Sequence, residues 1–292
     1  MTQSSIAGDQ TSRPPYFTAR GTETEPLCFL CGEAVGRIEY DYPDMKIIRC
    51  NRCGLWRSCP RYSAAELDVY YEKHHYSGDI RGTGKYEEWR DKHTDVWLAN
   101  AEMVGLEALK RGFGKAPKLL DVGSGHGFFL EQCRVLGIQG RGIEVSPHAV
   151  KYSREELKLD VRQIPLDELP ADEKYDVITM WGVLEHVPNP LITMSQVCAH
   201  LNPNGMAWVM TPNTNALDRR INGANWFNFI NKSHLTHFHR RTLKALMERA
   251  GLKNVHRYIH FGGGGRKGLG AGAQYAARWL CLGTELRFVG EK

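Results

Sequence analysis

No stretch of the 292-residue sequence is long and apolar enough to span a membrane as a helix. The first 26 residues are polar and lack the apolar core of a secretory signal. They are expected to form a flexible tail, because they cannot bury enough apolar surface to order themselves. Without an export signal the expected compartment is the reducing cytoplasm, where paired cysteines bind metal more often than they form disulfides. Dense Lys/Arg clusters are also missing. A net charge of +5 without such clusters disfavours nucleic acid as a partner and suits an anionic, for example nucleotide-linked, substrate. Internal repeats are absent, and the one low-complexity patch, 262–265, reads as a loop. The apolar segment 271–283 is interrupted by Gln274 and Arg278 and is expected to pack on its own domain rather than on a membrane surface. A chain with 42% hydrophobic residues builds a core without disulfides, so its eight cysteines need another explanation.

Four of them supply it. Cys28-x2-Cys31 and Cys50-x2-Cys53 have the spacing of a structural zinc ribbon, with Gly32 and Gly54 permitting the turn after each pair. Two such knuckles make a closed tetrahedral shell with no position for water, which implies a structural zinc. Cys59, Cys133, Cys198 and Cys281 read as ordinary thiols.

Four blocks follow one another: a tail over 1–26, the cysteine segment over 27–60, a helical and aromatic segment over 61–115 (Tyr70, Tyr71, Tyr76, Tyr86, Trp89, Trp97), and an α/β block over 116–292. In the last block, strands are expected at 118–123, 139–145, 161–166, 175–183, 206–211, 255–261 and 285–289. Helices follow the first strand (Phe129, Cys133 and Leu136 inward), Ser146-Pro147, Pro190 and residue 242. Asn204-Gly205 is expected to turn the chain into the fifth strand. This alternation argues for a mostly parallel sheet with helices on both faces.

Between the first strand and its helix lies Asp121-Val122-Gly123-Ser124-Gly125-His126-Gly127. Its glycines let the backbone turn tightly and let a ligand approach. Glu144 ends the next strand at the right distance to accept hydrogen bonds from ribose hydroxyls, so an adenosine-bearing ligand is expected. A dinucleotide fingerprint would space its glycines G-x-G-x-x-G and seat a pyrophosphate. Here Phe128 takes the third glycine's place, and Asp121 would repel a pyrophosphate while suiting an ammonium and a sulfonium.

LLDVGSGHG, GIEVS, YDVITMWGVLEHVPNP and LNPNGMAWVMTPN, followed by Trp226, His234-Leu-Thr-His237-Phe and a late helix ending at Ala250-Gly251, occur in order. Together they resemble class I S-adenosylmethionine methyltransferases, especially the branch of the ubiquinone-biosynthesis O-methyltransferases and many sugar and natural-product enzymes. The resemblance covers 116–292 and implies a Rossmann-like, seven-stranded sheet preceded by the small zinc ribbon. It implies that Asp121, Gly123, Ser124, Gly125 and Gly127 line the methionine part of S-adenosylmethionine. It further implies that Glu144 and Val145 hold the ribose side and that Ile164, Pro165 and Leu166 border the adenine, with Trp181 close by. Many relatives carry an Asp in that last segment, and this chain does not. The cysteine segment also resembles the N-terminal zinc segment of deoxysugar C-methyltransferases, which tilts the acceptor toward a sugar.

Methyl transfer is an in-line displacement, aided by a base where the acceptor is a hydroxyl. His234, then His186, and His237 are the candidate bases, because histidine suits proton removal near neutral pH. Some ubiquinone-pathway relatives hold magnesium with an E-x-x-E-H pattern. Gly182 replaces the first acid here, leaving Glu185 and His186, so a catalytic metal is not expected. Trp181, Trp226, Tyr70 and Tyr71 are candidate pocket walls. The expected function is O-methylation of a hydroxyl on a sugar, a glycan or a secondary metabolite. RNA methylation and a catalytically inactive zinc-ribbon interaction protein are the competing readings.

Overall fold

The computed structural model describes residues 27–34, 36–63, 65–67, 86–259 and 283–292. The expected tail, Tyr70, Tyr71, Tyr76, the patch 262–265, Cys281 and nearly all of the segment 271–283 lie outside the described residues.

Seven strands form the main sheet: β4 (Leu119–Val122), β5 (Gly140–Ile143), β6 (Val161–Arg162), β7 (Tyr175–Trp181), β8 (Leu201–Pro212), β10 (Lys253–Arg257) and β11 (Glu285–Glu291). Their order is β10-β11-β8-β7-β4-β5-β6. β4 through β8 run parallel to one another, and β11 runs antiparallel to both of its neighbours, β8 and β10. The order changes direction at β4, so the crevice beyond the ends of β4 and β7 is a topological switch point.

Period-two alternation builds the two faces. Leu119, Val177 and Trp181 point into a core with Met103 and Val104 of α1 (Tyr86–Lys110), Phe129 and Cys133 of α2 (Phe128–Val135), and Val150 of α3 (Pro147–Glu155). Leu120, Val122, Ile178 and Met180 point the other way. They meet Met194 and Val197 of α4 (Pro190–His200) and, two short helices later (α5, Leu217–Asn222; α6, Phe227–Ile230), Leu243, Leu246 and Met247 of α7 (Arg240–Arg249). The cap expected at Ser146 is present, its Oγ accepting from Ala149 N, and Asn189 caps the helix after it in the same way, its Oδ1 accepting from Leu191 N and Ile192 N.

Several boundaries differ from expectation. β6 is only two residues long, and Leu166 opens a 3₁₀ turn capped by Pro165. β8 starts at Leu201, already paired with Tyr175, and the expected turn is a bulge inside the strand with Asn204 at φ 63°. Leu136 falls past the end of α2 and is exposed. α7 begins at Arg240 because the His239 side chain accepts from Arg241 N, while Thr242 Oγ1 accepts from His239 N.

The cysteine segment is a second sheet, β1 (Gly36–Asp41), β2 (Lys46–Cys50) and β3 (Trp56–Cys59), and its fourth strand comes from far along the chain. β9 (Thr236–His237) pairs with β3, Trp56 facing His237 and Arg57 facing Thr236. Cys28, Leu30, Cys50 and Leu55 join the main core beside Leu243 and Phe238. The other side of the small sheet has a cluster of its own, where Met45, Ile47 and Trp56 pack with Trp226 and Phe229.

Candidate active site

β4 ends in the glycine loop. A Cβ at Gly125 (φ +53°) would meet nothing within 4 Å, so the loop leaves open space there. Gly123 and Gly127 pack closely on Val183 and Leu159. Asp121 is buried, and its Oδ1 accepts from Thr179 Oγ1 at 2.6 Å. Burial pushes its carboxyl up to about 8, against the pull of the Thr179 bond and with the charge of Glu144 adding to the rise. Ser124 Oγ and Trp181 Nε1 are buried without a hydrogen-bond partner among the described residues. Native interiors seldom leave such groups unmatched, so these two mark space for a polar ligand.

Glu144 does more than its position predicts. Its Oε2 accepts from Gly125 N at 2.9 Å, and its Oε1 accepts from Val145 N at 2.8 Å and Ser146 N at 2.9 Å. One carboxylate thereby ties the glycine loop to the start of α3. Val145 is 44% exposed at the rim, an apolar side chain beside this carboxylate. Ile164 and Pro165 are half-buried and Leu166 is buried, all beyond the end of β6.

The loop after β7 lies alongside, since Val183 packs on Gly123. There Glu185, His186 and His234 converge, with one ligand atom from each within 4.8 Å of the others. The His186 and His234 rings lie 4.5 Å apart at 88°. His186 Nδ1 donates to the Ser233 carbonyl at 3.0 Å, and its Nε2 is 4.0 Å from Glu185 Oε1. Burial raises the Glu185 carboxyl to about 7. His237 stands apart from this pair. Ser58 Oγ donates to the His234 carbonyl at 2.8 Å and therefore accepts from His237 Nε2 at 3.1 Å. Burial drives His237 down to about 3, with the charge of His186 contributing, so it stays neutral and ties β9 to β3. Trp226 is corrected as a pocket wall: it is buried on Phe229, and its Nε1 donates to Asp218 Oδ2.

The four cysteines also converge. Cys28 Sγ lies 3.6 Å from Cys53 Sγ, Cys31 Sγ lies 3.5 Å from Cys50 Sγ, and all four are free thiols within 4.8 Å of one another. Zinc–sulfur bonds of about 2.3 Å place tetrahedral sulfurs ~3.8 Å apart, so the shell fits that ion. The hydrogen bond from Cys53 holds Cys28 down at about 5 and pushes the Cys53 thiol up in turn.

Sequence reasoning missed the role of Glu185 in the second cluster, and Ser58 and Ser233 as its supports. The Glu185-His186 pair was visible, but its third member comes from a loop that only the fold brings close.

A family described as methyltransferase domain matches residues 87–257, more than half of the chain. The ubiquinone biosynthesis O-methyltransferase of Bordetella pertussis is 34% identical over 105 residues, which are 34% of this chain and 44% of that protein. Its namesake in Actinobacillus pleuropneumoniae is 34% identical over 112 residues, 35% of this chain and 47% of that protein. The chain thus spans less than half the length of these curated relatives. Among solved structures, the plantazolicin methyltransferase BpumL in complex with SAH has a TM-score of 0.55 at 17% identity, covering 78% of this chain and 96% of that one. The 1,6-didemethyltoxoflavin-N1-methyltransferase of Burkholderia thailandensis has a TM-score of 0.52 at 16% identity, covering 88% and 99%. Both likenesses are of fold. No helix among the described residues is long and apolar enough to cross a membrane. With the seven-stranded sheet and its glycine loop in place, the match over 87–257 decides the family: the chain belongs to the methyltransferase-domain family.

Proposed function

We propose that the chain transfers a methyl group from S-adenosylmethionine to a hydroxyl of a sugar, a glycan or a secondary metabolite. The observation that carries this reading is the open cradle at Gly125, flanked by the buried carboxyl groups of Asp121 and Glu144. The bound donor would supply an activated methyl on a sulfonium. Glu144 receives ribose hydroxyls on the oxygen that also holds Gly125 N. Asp121, kept near 8 by burial, ionises when a cation is brought beside it and so favours a cationic donor. Ser124 Oγ and Trp181 Nε1 gain the partners they lack. Ile164, Pro165 and Leu166 border the adenine, and Val145 lies on the ribose side.

The acceptor hydroxyl is held against the loop after β7, and its proton leaves at the His186–His234 pair. Holding nucleophile, methyl and sulfur in line supplies most of the acceleration, and the histidines add the proton step. Zinc at Cys28, Cys31, Cys50 and Cys53 has a structural role: it fixes the turns that carry β2 into β3, and β3 in turn carries β9.

Polyhydroxylated acceptors incubated with the chain and isotope-labelled methyl donor, then read by mass spectrometry, test the reaction. Label on an acceptor oxygen supports it. Label on nitrogen or on RNA, or no label on any acceptor pool, would overturn it.

A further inference from the structure

We propose that Glu185, His186 and His234 form a second metal site, open to an additional ligand, that takes a divalent first-row transition ion of the zinc, cobalt(II) or iron(II) kind. The three donor atoms already lie within 4.8 Å of one another. A shared ion with bonds of about 2.0–2.2 Å needs donors ~3–4 Å apart, so small side-chain rotations close the shell.

The surroundings are arranged as the outer shell of a metal site would be. The Ser233 carbonyl takes the Nδ1 proton of His186, which fixes the tautomer and turns Nε2 toward the Glu185 carboxylate. Glu185 is 3% exposed, and the groups that meet its carboxylate, its own backbone amide and the Thr211 hydroxyl, carry no positive charge. A buried carboxylate oxygen in that condition is costly unless a cation meets it. The main-chain carbonyl of Glu185 accepts from Leu235 N at 2.8 Å and Thr236 N at 3.2 Å, so the residue that offers the carboxylate also anchors the loop that offers His234. The two imidazoles meet edge to face at 88°, converging on one point rather than stacking.

The donor set selects the ion. Two imidazoles and one carboxylate suit zinc, cobalt or iron, whereas magnesium prefers an all-oxygen octahedron. The two-acid magnesium pattern does not fit this chain: Gly182 stands where its first acid would be, with φ +70°, a conformation an acidic residue adopts only under strain. Three protein ligands leave positions open, so the ion could take an acceptor oxygen and lower the pKa of its hydroxyl. The histidine pair would then act on the acceptor through the ion. That use rests on the proposed methyl transfer, but the binding does not.

Titration of the intact, zinc-loaded chain with cobalt(II) tests the site without any turnover. One equivalent of cobalt, in addition to the zinc already bound, is expected, with visible d–d bands and without the thiolate charge-transfer absorption that cobalt among cysteines would give. His234→Ala and Glu185→Gln are each expected to weaken that equivalent by at least about 100-fold, the upper end of the cost of losing an outer-shell partner alone. Zinc content at the cysteines and affinity for S-adenosylmethionine, measured on the same variants, report whether they fold. A variant that fails this check is replaced in the comparison by the other. No cobalt bound beyond the zinc in the wild-type chain, unchanged cobalt affinity in a folded variant, or tighter binding of magnesium than of cobalt would overturn the proposal. Failure to bind donor with cobalt still bound would instead sink only the methyl-transfer reading.

Discussion

The four cysteines and the Glu185–His186–His234 cluster both bring metal-binding side chains together, but they are assembled in opposite ways. Each cysteine pair sits on its own short turn, and Gly54 N donating to the Cys50 carbonyl at 3.0 Å and Gly32 N to the Cys28 carbonyl at 2.7 Å are contacts internal to those turns. The second cluster joins a loop after β7 to a loop before β9, and its geometry depends on Ser58 and on the backbone of residues 185, 235 and 236. A closed structural shell can be written locally. An open site must be held by tertiary contacts, here by the strand that the cysteine sheet contributes.

That dependence is directional and can be broken. Cys50→Ser is expected to have the largest effect, because a structural zinc contributes on the order of 10 kcal/mol to folding its segment. Hydrogen exchange should then lose protection over 47–58 and at Thr236, with β4 still protected. Cobalt binding at the second cluster should fall with it. The reverse effect is expected to be absent: His234→Ala should keep zinc at the cysteines, as metal analysis of the variant would show. That variant should lower turnover by about 10²–10⁴-fold, the range of a lost proton-transfer group, with donor affinity unchanged in calorimetry. An unaltered rate would remove the His186–His234 pair from the chemistry.

At the donor edge the effects are smaller. Glu144→Ala should weaken S-adenosylmethionine binding at least about tenfold, equivalent to ~1.4 kcal/mol, since it removes the ribose partner and frees the Gly125 amide together. Equal affinity in the variant would refute the ribose assignment. Asp121 gives a pH test. Between the ordinary carboxylate range and about 8 the folded chain keeps a proton that the unfolded chain has released. The contribution of this group to stability therefore falls as pH rises through that window and is constant above it. The slope is at most about 1.4 kcal/mol per pH unit. Asp121→Asn, whose amide oxygen can still accept from Thr179, should flatten that part of the slope in denaturant titrations at pH 5 and pH 8. An identical slope in the variant would show that Asp121 titrates normally.

What was legible in the sequence follows from the same contrast. The succession of strands and helices, the glycine loop, Glu144 and the cysteine knuckles are local patterns, fixed by alternation, by backbone freedom at Gly125 and by two-residue spacings. In the run 231–238 the candidate bases His234 and His237 were legible, but the burial of the run was not. The run reads as a polar loop, yet Asn231, Lys232, Ser233, His234, Thr236 and His237 are all buried, because Asp44 pairs with Lys232, Ser58 serves His234 and His237, and β3 takes Thr236 and His237 into its sheet. Hydrophobic patterning carries no signal for polar residues buried by distant partners. The same blindness hid the cluster: Glu185 and His186 were noticed as a pair, but the missing acid at Gly182 argued against a metal until the fold brought His234 across.

Calorimetric titration of the intact chain, first with S-adenosylmethionine and then with a nicotinamide dinucleotide, bears most directly on the donor edge at Gly125 and Glu144. One equivalent of the sulfonium donor and no heat from the dinucleotide are expected. Silence toward the donor, or a dinucleotide that binds in its place, would contradict methyl-donor binding at this edge.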